Sequence, residues 1–225
     1  MLKNYFKTAW RSLWKNKLYS FINIKGLTVG LTVGILILLW VQDEFSFDRF
    51  HSNQKNIYKL ENMVGTGTSR QLWTVTASPI GLLAKNQIPG VMDFVRITGN
   101  GDYKVFKYGD KIFNEQNNFY TDPSLFSVFD FKLIRGVPSL PFPDDKSVII
   151  TETMAKKYFG NEDPIGKAIV ADDKVNLKVS GVVKDFPRNS TFNADMLFPI
   201  SLLAKNEGLN LETDFNQYNY NTRNF

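Results

Sequence analysis

The sequence predicts an α+β protein in which one amino-terminal transmembrane helix is followed by an extracytoplasmic domain of mixed strands and helices. Three observations predict it. Residues Gly26 to Val41 carry no charge and only two threonines. Counted from Tyr19, this stretch spans roughly 34 Å as a helix, enough to cross a hydrocarbon core of roughly 30 Å. Residues 1 to 25 hold Lys3, Lys7, Arg11, Lys15, Lys17 and Lys25 and no acidic residue, whereas Asp43, Glu44 and Asp48 follow the apolar run. By the positive-inside rule the amino terminus is cytoplasmic and everything beyond Val41 lies outside. The third observation is the change past residue 55 to short apolar runs broken by Gly, Pro, Asn and Asp, which read as alternating strands and helices.

Composition narrows the function classes. The formal charge of +5 is concentrated in the first 25 residues, leaving 21 basic against 22 acidic residues beyond them. The basicity therefore belongs to the membrane-facing end, and no nucleic-acid surface is expected on the external domain. Cysteine is absent, so disulfides and thiolate metal sites are excluded and an exported domain must rest on its core, for which 19 Phe are available. The one histidine, His51, sits in a polar run and is expected at the surface. It removes most zinc arrangements.

In chain order, residues 1–18 repeat Tyr5, Phe6, Ala9, Trp10, Leu13 and Trp14 at three- and four-residue spacing between cations, the pattern of an amphipathic helix in the cytoplasmic interface. Trp10 and Trp14 fall at headgroup depth, Lys25 can snorkel to the same interface, and Trp40 marks the far one. A cleaved signal peptide would have the same basic start, but Gln42-Asp43-Glu44-Phe45 offers no small-x-small site. Within the span, Gly26, Gly30 and Gly34 form two overlapping GxxxG units on one face, which lets a second helix approach closely in lipid. Residues 42–54 are expected to continue the helix as a stalk.

Beyond the stalk, strands are expected at 57–64, 91–98, 147–151, 175–183 and 196–200, with Gly181 marking a bulge in the fourth. Ser78-Pro79 opens a helix reaching about Asn86, Gly109-Asp110 turns a hairpin, Asp122-Pro123 starts a turn or short helix, and a helix from Glu152 to Phe159 stops at Gly160. Past Lys205 the chain is asparagine-rich, and no stable closing element is assigned.

No catalytic constellation is visible. Gly160 to Ala168, GNEDPIGKA, has five residues between its glycines and no hydroxyl after Lys167, so it is a turn and not a phosphate loop. The pairs Asp43-Glu44, Asp144-Asp145 and Asp172-Asp173 read as solvated turns, Ser147 and Ser180 lack a base, and Asn189-Ser190-Thr191 matters as a sequon only in a eukaryotic secretory setting. The sequence therefore points to no catalytic, cofactor-binding or metal-ligating residue.

With those residues set out, the chain resembles the MacB/FtsX-like family of ABC transporter permeases. The resemblance rests on WRSLWKNKLYSFINIKGLTVG, NFYTDPSLFSVFDFKLIRG, SVIITETMAKKYFGNEDPIGK and VSGVVKDFPRNS. It implies a two-lobed extracytoplasmic α+β domain, with one lobe at 55–99 and 145–205 and the other inserted at 100–144, and an incomplete segment at 206–225. It also implies a membrane subunit of the bacterial inner membrane that dimerises, homo- or heteromerically, and binds a cytoplasmic ABC ATPase. ATP and Mg belong to that partner; the chain itself is no enzyme and needs no cofactor. Periplasmic partner proteins are compatible with the family, and nucleic acid is not. Family members carry three further spans, and the chain ends before them, so a fragment or interrupted product is expected. The alternative is a single-span, membrane-anchored extracytoplasmic binding or sensory domain.

Overall fold

The computed structural model describes residues 2–99, 103–215 and 222–225. The expectations for residues 1, 100–102 and 216–221 lie outside them. Two compact units result, residues 1–47 and 48–225.

In the first unit, helix α1 (Leu2–Lys15) and helix α2 (Lys17–Glu44) are separated at Asn16, whose backbone leaves the helical region. The alternation of cations and aromatics makes α1 amphipathic, whereas α2 is apolar all round. The 28 residues of α2 exceed the expected 19–41 because helical hydrogen bonding carries on through its polar ends. None of its residues is buried, and its mean hydropathy reaches 2.1. Its two threonines hide their hydroxyls by donating to the carbonyls four residues back, Thr28 to Ile24 at 2.7 Å and Thr32 to Thr28 at 2.8 Å. Among the described residues it is the one helix long and apolar enough to cross a membrane.

The expected helical stalk at 42–54 is overturned. Helix α2 stops at Glu44, the chain turns through 45–50, and Asp48 takes φ 56. From there the segment is claimed by the second unit. The Asp48 N–H donates to the Asn189 carbonyl at 2.9 Å, and its carboxylate accepts the Thr191 N–H at 2.9 Å.

The second unit is built on one mixed sheet. A hairpin of β1 (Asn62–Val64) and β2 (Gln71–Trp73) stands apart from it, followed by α3 (Pro79–Gln87) and β3 (Arg96–Gly99). Then come β4 (Val105–Tyr108), β5 (Lys111–Asn114), β6 (Asn118–Thr121), α4 (Leu125–Val128) and β7 (Leu133–Arg135). Strand β8 (Ser147–Thr151) leads into α5 (Glu152–Phe159), β9 (Ala168–Ala171) and β10 (Val175–Val183). Strand β11 (Met196–Pro199), α6 (Ile200–Glu207) and β12 (Thr222–Asn224) complete the order. Across the sheet the strands run β12, β3, β6, β11, β8, β10, β9, β4, β5, with β7 pairing the end of β10. The pairs β8/β10 and β6/β11 are parallel. The α+β class with one amino-terminal apolar helix is what the structure has. Strands from 100–144 lie in the same sheet as those from 145–205, so hydrogen bonding is continuous across that lobe boundary.

Both faces of the sheet are covered, which explains why SVIIT in β8 is apolar without alternation and buried at every position. Val148 and Ile150 face one core with Tyr158, Phe159 and Phe198, while Ile149 faces the other with Phe129, Phe131 and Leu197. Strand β10 shows how register is adjusted. Leu177 and Val179 enter the first core, the register then shifts between Val179 and Gly181, and Val182 enters that core instead of residue 181. A Cβ at Gly181 would lie 2.9 Å from Leu133 Cδ1, so the bulge needs glycine for close approach.

Most local signals read as expected. Thr151 caps α5 by accepting the Met154 N–H at 3.3 Å, and Gly160 ends it at φ 64. Tyr108 pairs with Lys111 across Gly109-Asp110. Four boundaries differ. The strand expected at 57–64 is short because Ile57 is drawn into the second core and the Leu60 N–H goes to Asn224. The strand expected at 91–98 starts at Arg96. Ile200 opens helix α6 instead of ending β11, since the chain leaves the sheet at Pro199. Residues Thr222–Asn224 form β12 against β3, a closing strand that the polar carboxy-terminal composition conceals.

An ion pair anchors this edge. Arg96 donates through Nε and NH2 to both oxygens of Asp122, at 2.8 and 2.7 Å, and through NH1 to the Leu211 carbonyl at 3.1 Å. Both residues are nine-tenths buried. Removing one partner strands the other's charge, so Asp122→Ala is expected to lower unfolding free energy by about 3–5 kcal/mol. The double variant Arg96→Leu/Asp122→Leu is expected to lose less, as measured by urea unfolding.

Candidate functional site

The best-formed cavity in the second unit encloses about 410 Å³. One wall is the segment that follows α2, contributing Asp48, His51, Gln54 and Ile57. The floor is apolar, from Ile97, Phe129, Phe131, Phe192 and Phe225, and the rim carries Lys59, Thr74, Thr191 and Arg223.

His51 is held in place there and is not at the surface as its polar surroundings suggest; it is 4% exposed. Its ring centroid lies 5.1 Å from both Phe129 and Phe131 and 4.1 Å from Phe50. The Asp130 N–H donates to His51 Nδ1 at 3.1 Å, so that nitrogen is unprotonated, the ring is neutral and its proton sits on Nε2. The Asp130 carboxylate in turn accepts the N–H of Ser52. The two bonds run in opposite directions and staple the 48–56 segment to the chain just before β7. Phe50, immediately before His51, packs against the same core, but nothing local in the sequence marks His51 for burial.

Burial pushes the imidazole below its usual value of 6.5, against the opposing pull of Asp130 and then Asp48. The Asp130 carboxyl is held below its usual range, first by the Ser52 backbone N–H.

Other polar clusters serve the fold. Buried Glu115 accepts from Lys157 Nζ at 2.7 Å and Tyr158 Oη at 2.9 Å, and burial followed by Glu115 pushes the tyrosine's pKa up. Burial, then Glu115, also raises Asp195. Asp172 ties its turn to β4 by accepting the Val105 N–H at 2.7 Å, and Asp173 pairs with Lys107 at 2.6 Å. Lys167 of the GNEDPIGKA turn is paired with Glu162. Ser147 donates to Asp144 at 3.0 Å and Ser180 to the Pro141 carbonyl at 2.7 Å. Among the described residues no three acidic or histidine side chains converge to hold a metal.

The residues singled out for the membrane lie in the first unit, away from this cavity in sequence. Gly26, Gly30 and Gly34 follow one another along α2, and a Cβ at any of them would meet nothing within 4 Å. Trp10, Trp14 and Trp40 are exposed. Lys25 Nζ stands 4.9 Å from the centroid of Phe21 and Lys17 Nζ 5.2 Å from Trp14, an aromatic shelter for cations at an apolar boundary.

Comparison with known proteins adds the context. Residues 20–221 match the family described as the MacB-like periplasmic core domain. The chain is 25% identical over 198 residues to the macrolide export ATP-binding/permease protein MacB of Aggregatibacter actinomycetemcomitans, covering 82% of this chain and 30% of that protein. It thus spans about three tenths of the curated relative's length. A crystallised domain of a permease protein from Porphyromonas gingivalis shares its fold, with a TM-score of 0.59, 23% identity and 68% of each chain covered.

The His51 staple makes a prediction about pH. An imidazole with a lower pKa in the folded state stabilises fully above its unfolded value of about 6.5, and this contribution is lost as pH falls through the folded value. Thermal unfolding followed from pH 8 to pH 5 should therefore show a falling midpoint. In His51→Asn, whose Oδ1 can accept the same N–H without titrating, the fall should be smaller; an equal fall would assign it elsewhere. His51→Ala should cost about 2–4 kcal/mol through the cavity and the orphaned N–H.

Proposed function

This chain belongs to the MacB-like periplasmic core domain family, and from that premise we propose that it works as the amino-terminal part of the membrane subunit of an ABC-type exporter. In this reading a cytoplasmic ABC ATPase hydrolyses ATP, and the membrane subunit couples that hydrolysis to movement of an extracytoplasmic domain, a mechanotransmission role. The chain sits in the bacterial inner membrane with its amino terminus cytoplasmic and its main domain periplasmic, and it works as a homo- or heterodimer.

The observation that carries the reading is the extent of the family match, which begins at residue 20 inside the apolar run and continues without interruption into the sheet domain. The match therefore takes in most of the apolar helix together with the sheet domain. Supporting it are the six cations and no acids in residues 1–25, which favour a cytoplasmic start. Helix α1 presents Lys3, Lys7, Arg11 and Lys15 beside Trp10 and Trp14, suited to the anionic cytoplasmic leaflet. A continuous helix passes tilt from one end to the other, and the Gly26, Gly30, Gly34 face gives a partner helix a surface to work against. The cavity favours a second reading, a single-span binding or sensory domain.

One experiment separates them. The protein is reconstituted in proteoliposomes with its cognate ATPase, and ATP hydrolysis coupled to the membrane subunit is measured. Gly30→Leu with Gly34→Leu is expected to lower the coupled rate by about tenfold, the size of an ordinary coupling free energy. The circular dichroism of the protein should be unchanged. An unaltered rate refutes the packing role, and failure of the wild-type protein to bind any ABC ATPase favours the binding-domain reading.

A further inference from the structure

The cavity of the second unit has the composition of a small-molecule site, and its charges specify a ligand class. Its volume of about 410 Å³ falls within the range of sites that hold small ligands. Four phenylalanines on the floor offer ring faces and edges to a flat apolar body. His51 lines the same space with Nδ1 already occupied by the Asp130 N–H, so the donor left to it is Nε2–H.

The rim decides the charge. Arg223 stands on β12 beside Ile97 of β3, on the exposed side of its strand, and among the described residues its guanidinium has no ion pair or hydrogen bond. Lys59 is neutralised in part by Glu61 at 3.2 Å. Asp48 spends one carboxylate oxygen on the Thr191 N–H and brings its acidic side chain to the same cavity. A dianion would face that carboxylate, whereas a single carboxylate can take the free fork of Arg223 in bidentate geometry. A cation would meet Arg223 and Lys59, and a neutral body would leave Arg223 without a partner.

We propose that this cavity, bounded by Asp48, His51, Phe129, Phe131, Phe192 and Arg223, binds a small aryl carboxylate. The ring lies on the phenylalanine floor and the carboxylate is held by Arg223. The inference stands on the cavity alone and is independent of the transport role. Because Asp48 and His51 belong to the segment that directly follows α2 in sequence, the ligand would bridge that segment to the sheet.

The test uses the full chain in nanodiscs of zwitterionic lipid, with empty nanodiscs as the partition control. Binding of 4-(trifluoromethyl)benzoate is followed by fluorine NMR line broadening and compared with 4-(trifluoromethyl)benzylamine and 4-(trifluoromethyl)benzamide. The benzoate should bind more tightly than either analogue. Arg223→Gln, at an exposed position that leaves the core untouched, should weaken it by about tenfold, the scale of a charge-assisted hydrogen bond. Thr191→Trp, which fills the mouth from the rim, should abolish it. Equal binding of the amine or amide, an affinity unmoved by both variants, or a signal no larger than in empty nanodiscs would each overturn the proposal.

Discussion

Helix α2 buries none of its residues, and the rest of the molecule is arranged around that fact. Sixteen consecutive residues without a charge, none of them buried among the described residues, suit a lipid surrounding in length and composition. A helix can meet that demand alone because its backbone bonds are internal, and Thr28 and Thr32 complete it by bonding their hydroxyls back to the helix. The charge asymmetry follows from the same constraint. Cations gather before the span, two of them sheltered over Trp14 and Phe21, while the domain beyond it is nearly neutral.

The external domain answers a different constraint, that of staying folded without a disulfide. It does so with a sheet covered on both faces and two aromatic-rich cores, so that β8 is buried along its whole length. Its buried charged groups are paired, whereas the Oδ1 atoms of Asn118 and Asn224 accept no hydrogen bond among the described residues. Arg96 and Asp122 fasten the edge near β12, Glu115 gathers Lys157 and Tyr158, and the two-way staple is made by His51 accepting the Asp130 N–H and Ser52 N–H donating to the Asp130 carboxylate. The staple is the device that fixes the chain just after α2 to the domain, and it depends on a neutral imidazole.

What was legible in the sequence follows from the range of the forces involved. The apolar helix α2, the amphipathic helix α1, the β8–α5 unit and the Gly109-Asp110 hairpin are specified by periodicity, caps and turn residues within a dozen positions, and each of these elements forms, α2 being longer than the apolar run. Gly181 marked its bulge because only a missing side chain permits the approach of Leu133. The failures are long-range. His51 sits in a polar run but is buried by Phe129 and Phe131, nearly eighty residues away, and no local pattern announces that contact. Strand β12 is polar in composition because its partner β3, not its own hydrophobicity, makes it a strand. The cavity was invisible for the same reason, since its walls come from six separate stretches of chain. The helix stops at Glu44 and does not continue as a stalk, and Asp48, four residues on, bonds instead to residues 189 and 191.

The proposed function requires one topology, with the basic start inside and the sheet domain outside. The chain has no cysteine, so a single introduced thiol reports its own compartment. Lys7→Cys and Lys174→Cys, both at exposed positions, can be treated with a membrane-impermeant maleimide in intact spheroplasts and again after permeabilisation. The thiol at position 174 should label at once, and that at position 7 only after permeabilisation. Labelling in the opposite order, or of both thiols in intact spheroplasts, would contradict the account.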